Sequence, residues 1–404
     1  MKLQSNSIIQ NRYKIISNLG SGGFGETYLC DDLDNHNQCA IKLLKDIDSD
    51  MVSRFEQEAE TLKKLSDECE KIPKFFDFFQ DNNEYFIVQE YINGSSIVQE
   101  LFDWNEEDLI NFLHEILEIL EFVHKKGIIH RDIKPANIMR RNDGKLFLID
   151  FGIVKQVSHS GAVSTTVPWG TLGYRPSEQE RGHPKFCSDI YAIGIIAIES
   201  LTRSFNWWNP WPTDPNTLEF IWVDQATTAN CQLIKILNKM VRYNHTSRYQ
   251  SVTEVLKDLR KLIQPPIPFK IEEKYGYKTT EGKVIVNPSY DFADKFSEGL
   301  ARFKINGKWG YIDDDGNTVI PAQYSGAGNF SEGLANVQIT EITKTGWLGL
   351  STNVVKKWGY IDQDGSWKIS PQFDSAYPFQ NGKAKVSSNS EIYIDKNGDS
   401  FFIF

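Results

Sequence analysis

Gly20-Ser21-Gly22-Gly23-Phe24-Gly25 joins two strand-like segments, Tyr13 to Ile16 and Glu26 to Leu29. Glycines at this spacing let backbone amides approach phosphate oxygens with no side chain in the way. The same G-x-G-x-x-G spacing opens dinucleotide-binding folds, but those continue into a helix, and here a strand follows. On its own the loop reads equally well as a glycine-rich hairpin. Ala40-Ile41-Lys42 comes next, and strand alternation turns Ala40 and Lys42 to one face, a small residue beside a cation. An isolated lysine of this kind is ordinarily a solvated strand residue. The stretch from Asp50 to Ser66 gives Lys42 a partner. Phe55, Leu62 and Leu65 form an apolar helical stripe, and Glu58 falls within it. A carboxylate on a buried face is costly unless a cation meets it, so Lys42 is expected to meet Glu58.

Further on, His130-Arg131-Asp132-Ile133-Lys134-Pro135-Ala136-Asn137 precedes Asp150-Phe151-Gly152. With the glycine loop, Lys42 and Glu58 upstream in order, this string resembles the catalytic loop and metal-binding triplet of the eukaryotic-type (Hanks-type) protein kinases, with a bacterial flavour. The resemblance covers residues 11 to 263. It implies ATP as cofactor, with Mg2+ (or Mn2+) beside it. It also implies roles: Asp132 orients the incoming hydroxyl and takes its proton, and Lys134 steadies the γ-phosphate. Asn137 and Asp150 hold the metal, whose preference is for hard oxygen ligands. Lys42 grips the α- and β-phosphates and Glu58 fixes Lys42.

By the same resemblance Phe86 to Ile92 is the fifth strand and hinge. Gln89 is then the gatekeeper, and backbone groups of Glu90 and Ile92 meet adenine. Gly20, Gly22 and Gly25 cover the phosphates, while Leu19, Ala40 and Met139 wall the base. Thr27 stands where the family usually has valine. Lys134, with Gly170-Thr171 before Tyr174, resembles the serine/threonine branch, in which Thr171 bonds Asp132 and Lys134. Pro176-Ser177-Glu178 resembles the family's Ala-Pro-Glu, which pairs Glu178 with Arg248, and Asp189 would brace the catalytic loop. Arg131 implies a phosphate-binding role toward the activation segment, where Thr165 and Thr166 are the expected autophosphorylation sites among Ser158, Ser160, Ser164, Thr165, Thr166 and Thr171. The implied substrates are serine and threonine hydroxyls of proteins. A nucleotide-binding scaffold without transfer is the alternative, and a small-molecule phosphotransferase a third reading. Scaffolds usually lack a catalytic residue, and all five of Lys42, Glu58, Asp132, Asn137 and Asp150 are present.

These groups need a frame. Residues 11 to 92 read as short strands around one helix, a β-rich lobe. From Asn105 to Lys126 the apolar spacing is helical (Leu109, Phe112, Leu113, Ile116, Leu117, Leu120, Val123), opening a helical lobe over 93 to 263. The expected class is therefore α+β, and the resemblance implies that its two parts form a bilobal kinase fold. A proline-rich linker at 264 to 270 is expected to separate it from an all-β domain at 271 to 404. There Trp309-Gly310-Tyr311-Ile312-Asp313 and Trp358-Gly359-Tyr360-Ile361-Asp362 repeat, each followed by a glycine turn, and Phe296-Ser297-Glu298-Gly299-Leu300-Ala301 returns as Phe330-Ser331-Glu332-Gly333-Leu334-Ala335. A period of about 34 residues means stacked hairpin units. They resemble bacterial WG repeats, with the tryptophans expected in the core and an unknown protein or glycan as ligand.

Composition excludes several classes. A net charge of -10 argues against nucleic acid as the main partner. Five scattered cysteines without a C-x-x-C pair suit reduced thiols in a cytoplasm. The greasy run Ile190 to Ile198 spans about half a bilayer and reads as a buried helix, so no membrane anchor is expected.

Overall fold

The computed structural model describes residues 3–21, 25–44, 49–152, 155–156, 171–205, 210–226, 230–345, 351–388 and 390–401. The chain forms two compact units, Met1–Thr227 with Leu237–Leu256, and Thr228–Ile236 with Lys257–Phe404.

In the first unit, β1 (Ile8–Ile9), β2 (Tyr13–Ser21), β3 (Gly25–Asp32), β4 (Asn37–Leu44), β5 (Phe75–Asp81) and β6 (Glu84–Glu90) make one antiparallel sheet in the order β1-β2-β3-β4-β6-β5. Its inner face is a core of Tyr13, Ile15, Tyr28, Cys30, Ile41, Leu43, Phe86 and Val88. Helix α1 (Ser49–Ser66) lays Phe55, Ala59, Leu62 and Leu65 inward, as the spacing predicts. Short strand β7 (Gly94–Ser96) leads to α2 (Glu106–Lys125), which starts where Asn105 accepts from the Asp108 amide at 2.9 Å and Asp108 accepts from the Asn105 amide at 3.1 Å. That reciprocal cap satisfies two donors a helix start leaves open. After β8 (Ile128–Ile129), β9 (Ile138–Arg141) and β10 (Leu146–Leu148) come α3 (Ser177–Glu180), α4 (Phe186–Thr202), α5 (Cys231–Met240) and α6 (Val252–Ile263), with the boundary between the units falling inside α5 and α6. Helix α4 is buried without a break from Cys187 to Ser200, so the Ile190–Ile198 run is a core helix. Among the described residues no helix is long and apolar enough to cross a membrane.

The repeat region is a set of antiparallel meanders, Phe292–Ala293 through Tyr324, Gly326–Ala327 through Phe373, and Ser375–Ala376 through Phe401, preceded by a three-stranded sheet from Ile267 to Tyr290. The expected linker at 264–270 is shorter than its prolines suggest. Ile267–Ile271 is a strand pairing with Lys274–Lys278, and Pro268 is tolerated because that strand lies at a sheet edge. One hairpin is a longer ribbon than the others, Ala335–Thr345 against Ser351–Ile361.

The repeat tryptophans Trp309 and Trp358 pack against core clusters as expected, but at their margin rather than their centre. Tyr277, Tyr311 and Tyr360 are fully buried, whereas Trp309 and Trp358 are half-buried and Trp367 is 40% exposed. Each of these tyrosines both fills the core and donates its hydroxyl to a carbonyl: Asp294 at 2.8 Å, Gly328 at 2.7 Å and Tyr377 at 2.7 Å. Trp309 lies at the rim with the cations of Arg302 and Lys304 over its ring.

The glycine between Trp309 and Tyr311 has a steric reason. A Cβ on Gly310 would sit 2.6 Å from the Ile320 carbonyl oxygen, where the strand register shifts. Gly276 and Gly359 repeat the geometry. Gly310→Ala is expected to cost about 1–3 kcal/mol, as forced overpacking does, measured by urea unfolding of the full chain. An unchanged midpoint would show that the bulge can shift to make room.

Successive copies are tied forward. Ser297 donates to the Phe330 carbonyl and Ser331 to that of Phe379, each at 2.7 Å. The Glu298 carboxylate accepts from the amides of Glu332 and Gly333 at 2.6 and 2.8 Å, and Glu332 accepts from the Gly382 amide at 2.9 Å.

Candidate active site

The two-residue period of β4 delivers Lys42 to the cleft beside Ala40, and register sets their neighbours: Thr27 opposite Lys42, Gln89 opposite Ala40. The Lys42 ammonium donates to Glu58 Oε1 at 2.6 Å and to Asp150 Oδ1 at 2.8 Å. Glu58 is 5% exposed, so the apolar stripe of α1 does carry a buried carboxylate to a buried cation. Burial alone would drive Lys42 toward neutrality, but Asp150 and Glu58 together raise it above its usual range. Burial raises Glu58, with Lys42 opposing and Asp150 adding to the rise. Burial also pushes Asp150 up, but Lys42 outweighs it and holds the carboxyl below the usual range. The proton balance therefore favours an ionised Asp150, the state a metal ligand needs.

Asp132 is held at four points. Its Oδ1 accepts from the Thr171 amide at 3.0 Å and the Thr171 hydroxyl at 2.8 Å. Its Oδ2 accepts from Lys134 Nζ at 2.8 Å and Asn137 Nδ2 at 3.1 Å. Lys134 also donates to the Thr171 hydroxyl at 3.0 Å. Asn137 gives its amide nitrogen to the Asp132 carbonyl as well, at 2.8 Å, which leaves its amide oxygen as the atom able to ligate a cation.

Two stretches of backbone here are ones L residues adopt reluctantly: φ is +71° at Arg131, beside Asp132, and +66° at Asp150, after β10. Asp189 on α4, 1% exposed, compensates by accepting from the amides of His130 and Arg131 at 2.9 Å each and from His124 Nε2 at 2.8 Å. Gln179 adds a bond to the Arg131 carbonyl at 2.6 Å. Burial, with Arg54 adding repulsion against the pull of Asp189, lowers the Arg131 guanidinium to about 10. Glu178 and Arg248 form a buried fork at 2.6 and 3.2 Å, and Ser188 donates to Glu178 at 2.8 Å.

Sequence reasoning missed His124, Gln179 and Ser188. None carried a local pattern: one sits on α2 among charged residues, one in a four-residue helix, and one in the first turn of α4.

Around the cleft, Ala40 and Ile92 are buried, Met139, Gln89, Glu90 and Thr27 are half-buried, and Leu19 is 45% exposed. The Glu90 amide is taken by the Lys74 carbonyl at 2.8 Å, so the Glu90 carbonyl is the group left to meet a base. A Cβ on Gly20 would meet nothing within 4 Å, consistent with open space for a ligand. One on Gly25 would strike the Leu43 carbonyl oxygen at 2.2 Å, so Gly25 serves the closeness of β3 and β4 as well as any phosphate. Gly22, Thr165, Thr166 and the other activation-segment hydroxyls up to Ser164 lie outside the described residues.

Comparison with known proteins agrees with this geometry. The family model described as protein kinase domain matches residues 13–259, and that described as WG containing repeat matches 275–309, 309–341 and 358–390. Serine/threonine-protein kinase C of Synechocystis sp. is 36% identical over 297 residues, covering 69% of this chain and 55% of that protein. Serine/threonine-protein kinase PknA of Nostoc sp. is 34% identical over 283 residues, covering 65% and 50%. The chain thus spans about half the length of the curated relatives it matches. The crystal structure of a kinase domain, PF14_0431, aligns with a TM-score of 0.50 at 20% identity, over 64% of this chain and 97% of that one, which speaks to fold alone. On the extent of the family match, the chain belongs to the protein kinase family, and WG repeats follow its kinase domain.

Proposed function

We propose that the chain is a serine/threonine protein kinase that transfers the γ-phosphate of ATP to protein hydroxyls. The observation that carries this reading is the fully hydrogen-bonded Asp132 carboxylate, with Thr171 on one oxygen and Lys134 and Asn137 on the other. A carboxylate so fixed can orient a serine or threonine hydroxyl and take its proton at Oδ2 or Oδ1. Phosphoryl transfer spreads negative charge over the moving group, so the remaining work is positioning and charge neutralisation. Lys42, held by Glu58, is placed to grip the α- and β-phosphates, and Lys134 to steady the γ-phosphate. The Asp150 carboxylate and the Asn137 amide oxygen fit Mg2+ (with Mn2+ as a substitute), a hard cation bound by few protein oxygens alongside phosphates. When bound, that metal neutralises charge on the phosphate oxygens. The Glu90 carbonyl and Ile92 amide meet adenine between Ala40 and Met139.

The functional division is residues 11–263 for catalysis and 271–404 for the repeats. Arg131, with its positive charge kept near Arg54 and Asp189, fits a receiver for phosphate on the activation segment, with Thr165 and Thr166 as its source. The repeats serve as a binding or regulatory module for a protein or glycan ligand, and the chain works in the cytoplasm.

The test is transfer of label from γ-labelled ATP with Mg2+ to myelin basic protein. Wild type is expected to yield phosphoserine and phosphothreonine, and Lys42→Ala to yield almost none. Equal labelling by both proteins would defeat the reading.

A further inference from the structure

Away from Asp132, a cavity of about 580 Å³ opens in the helical lobe between the segment Ser177–Lys185 and the turn after α5. Arg181, His183 and Lys185 line it from the first segment and His245 from the second. In a chain of net charge -10, four cationic or protonatable side chains around one cavity run against the overall balance. The one carboxylate among the lining residues, Glu178, is committed to Arg248 and Ser188. Among the described residues no carboxylate lies within ion-pair distance of Arg181, His183, Lys185 or His245. The cavity therefore presents net positive potential.

Its walls are also pre-positioned. Arg248 bonds Glu178 in one wall and the Tyr243 carbonyl, at 3.1 Å, in the other, so a buried ion pair rivets the two segments together. A site built before its ligand arrives avoids part of the ordering cost of binding.

The side-chain chemistry specifies the ligand. A guanidinium fork matches phosphate oxygens, a lysine adds a point charge, and imidazole N–H groups supply further donors. A single carboxylate would leave most of that charge unused. We propose that this cavity binds a phosphate monoester dianion, supplied by a phosphoserine or phosphothreonine on an already phosphorylated protein segment. This rests on the proposed activity only for the source of the group, since the reaction makes that monoester; the site itself lies outside the transfer machinery.

The test needs no nucleotide. Fluorescence anisotropy of the full chain is measured with an alanine-rich peptide carrying phosphothreonine and with its threonine counterpart. The phosphopeptide is expected to bind at least about tenfold tighter, a difference near 1.4 kcal/mol. The double variant Arg181→Gln, Lys185→Gln should lose the preference while its urea unfolding midpoint stays unchanged, which reports an intact fold. Equal affinity for the two peptides, or an undiminished preference in the variant, would overturn the site. Displacement by inorganic phosphate at equivalent concentration would assign it to the free ion and overturn protein docking. Because ATP is absent throughout, these outcomes are independent of whether transfer occurs.

Discussion

Asp132→Asn is expected to lower kcat for protein phosphorylation by about 10²–10⁴, the usual yield of a positioned general base, while nucleotide affinity is nearly unchanged. The asparagine oxygen can take over the bonds from Thr171, but its NH2 then faces Lys134 Nζ and Asn137 Nδ2, two donors that had shared Oδ2. The variant thus loses the proton acceptor and meets a donor-donor conflict together. Thr171→Ala keeps the backbone donor and removes the hydroxyl, so its loss should be far smaller, roughly tenfold for one hydrogen bond to a charged group. Steady-state kinetics with titrated ATP separates the two effects. A Thr171→Ala loss as large as that of Asp132→Asn would mean that the hydroxyl, and not the carboxylate, dominates.

Arg248→Ala should cost about 3–5 kcal/mol of stability, the range for stripping one partner from a buried pair. Glu178 and Arg248 are 6% and 3% exposed. Arg248 additionally donates to the carbonyls of Arg242 and Tyr243 at 2.5 and 3.1 Å and lies over the Tyr191 ring. Its removal leaves a buried carboxylate with the Ser188 hydroxyl as its remaining side-chain donor and two carbonyls short of a partner. Urea unfolding reads the change directly. A shift below about 1 kcal/mol, typical of an exposed pair, would show that water enters and replaces the guanidinium.

The sequence made some of this legible and hid the rest for definite reasons. Glu58 could be matched with Lys42 because a carboxylate inside an apolar helical stripe demands a cation, and the contact is there at 2.6 Å. Asp132, Asn137 and Asp150 were legible through an ordered motif, α2 through its apolar spacing, and α4 through its unbroken apolar run. Periodicity reports which face a residue occupies but not what lies across from it. His124, Gln179 and Ser188 therefore stayed hidden, since their partners lie on other elements. The depth of the tryptophans was hidden for a related reason. Trp309 and Tyr311 share a strand face and pack on the same cluster, the tyrosine within it and the tryptophan at its margin, a difference that strand alternation does not encode. Pro268 suggested a linker because proline forbids a ladder donor; an edge strand does not need that donor. Gly25 looked like a phosphate residue alone, whereas Leu43 also requires it.

The forward grip of Glu298 on the amides of Glu332 and Gly333 is met again between Glu332 and the Gly382 amide, across separations of 34 or 35 and of 50 residues. Acceptor and donor are thus the same chemical pair at each junction, whatever length of ribbon lies between. Recombination that excised one whole unit would bring Glu298 to the amide that Glu332 vacated. Gain or loss of copies by slippage is therefore a small mutational step for this region, and its reach can evolve without redesign of the joints.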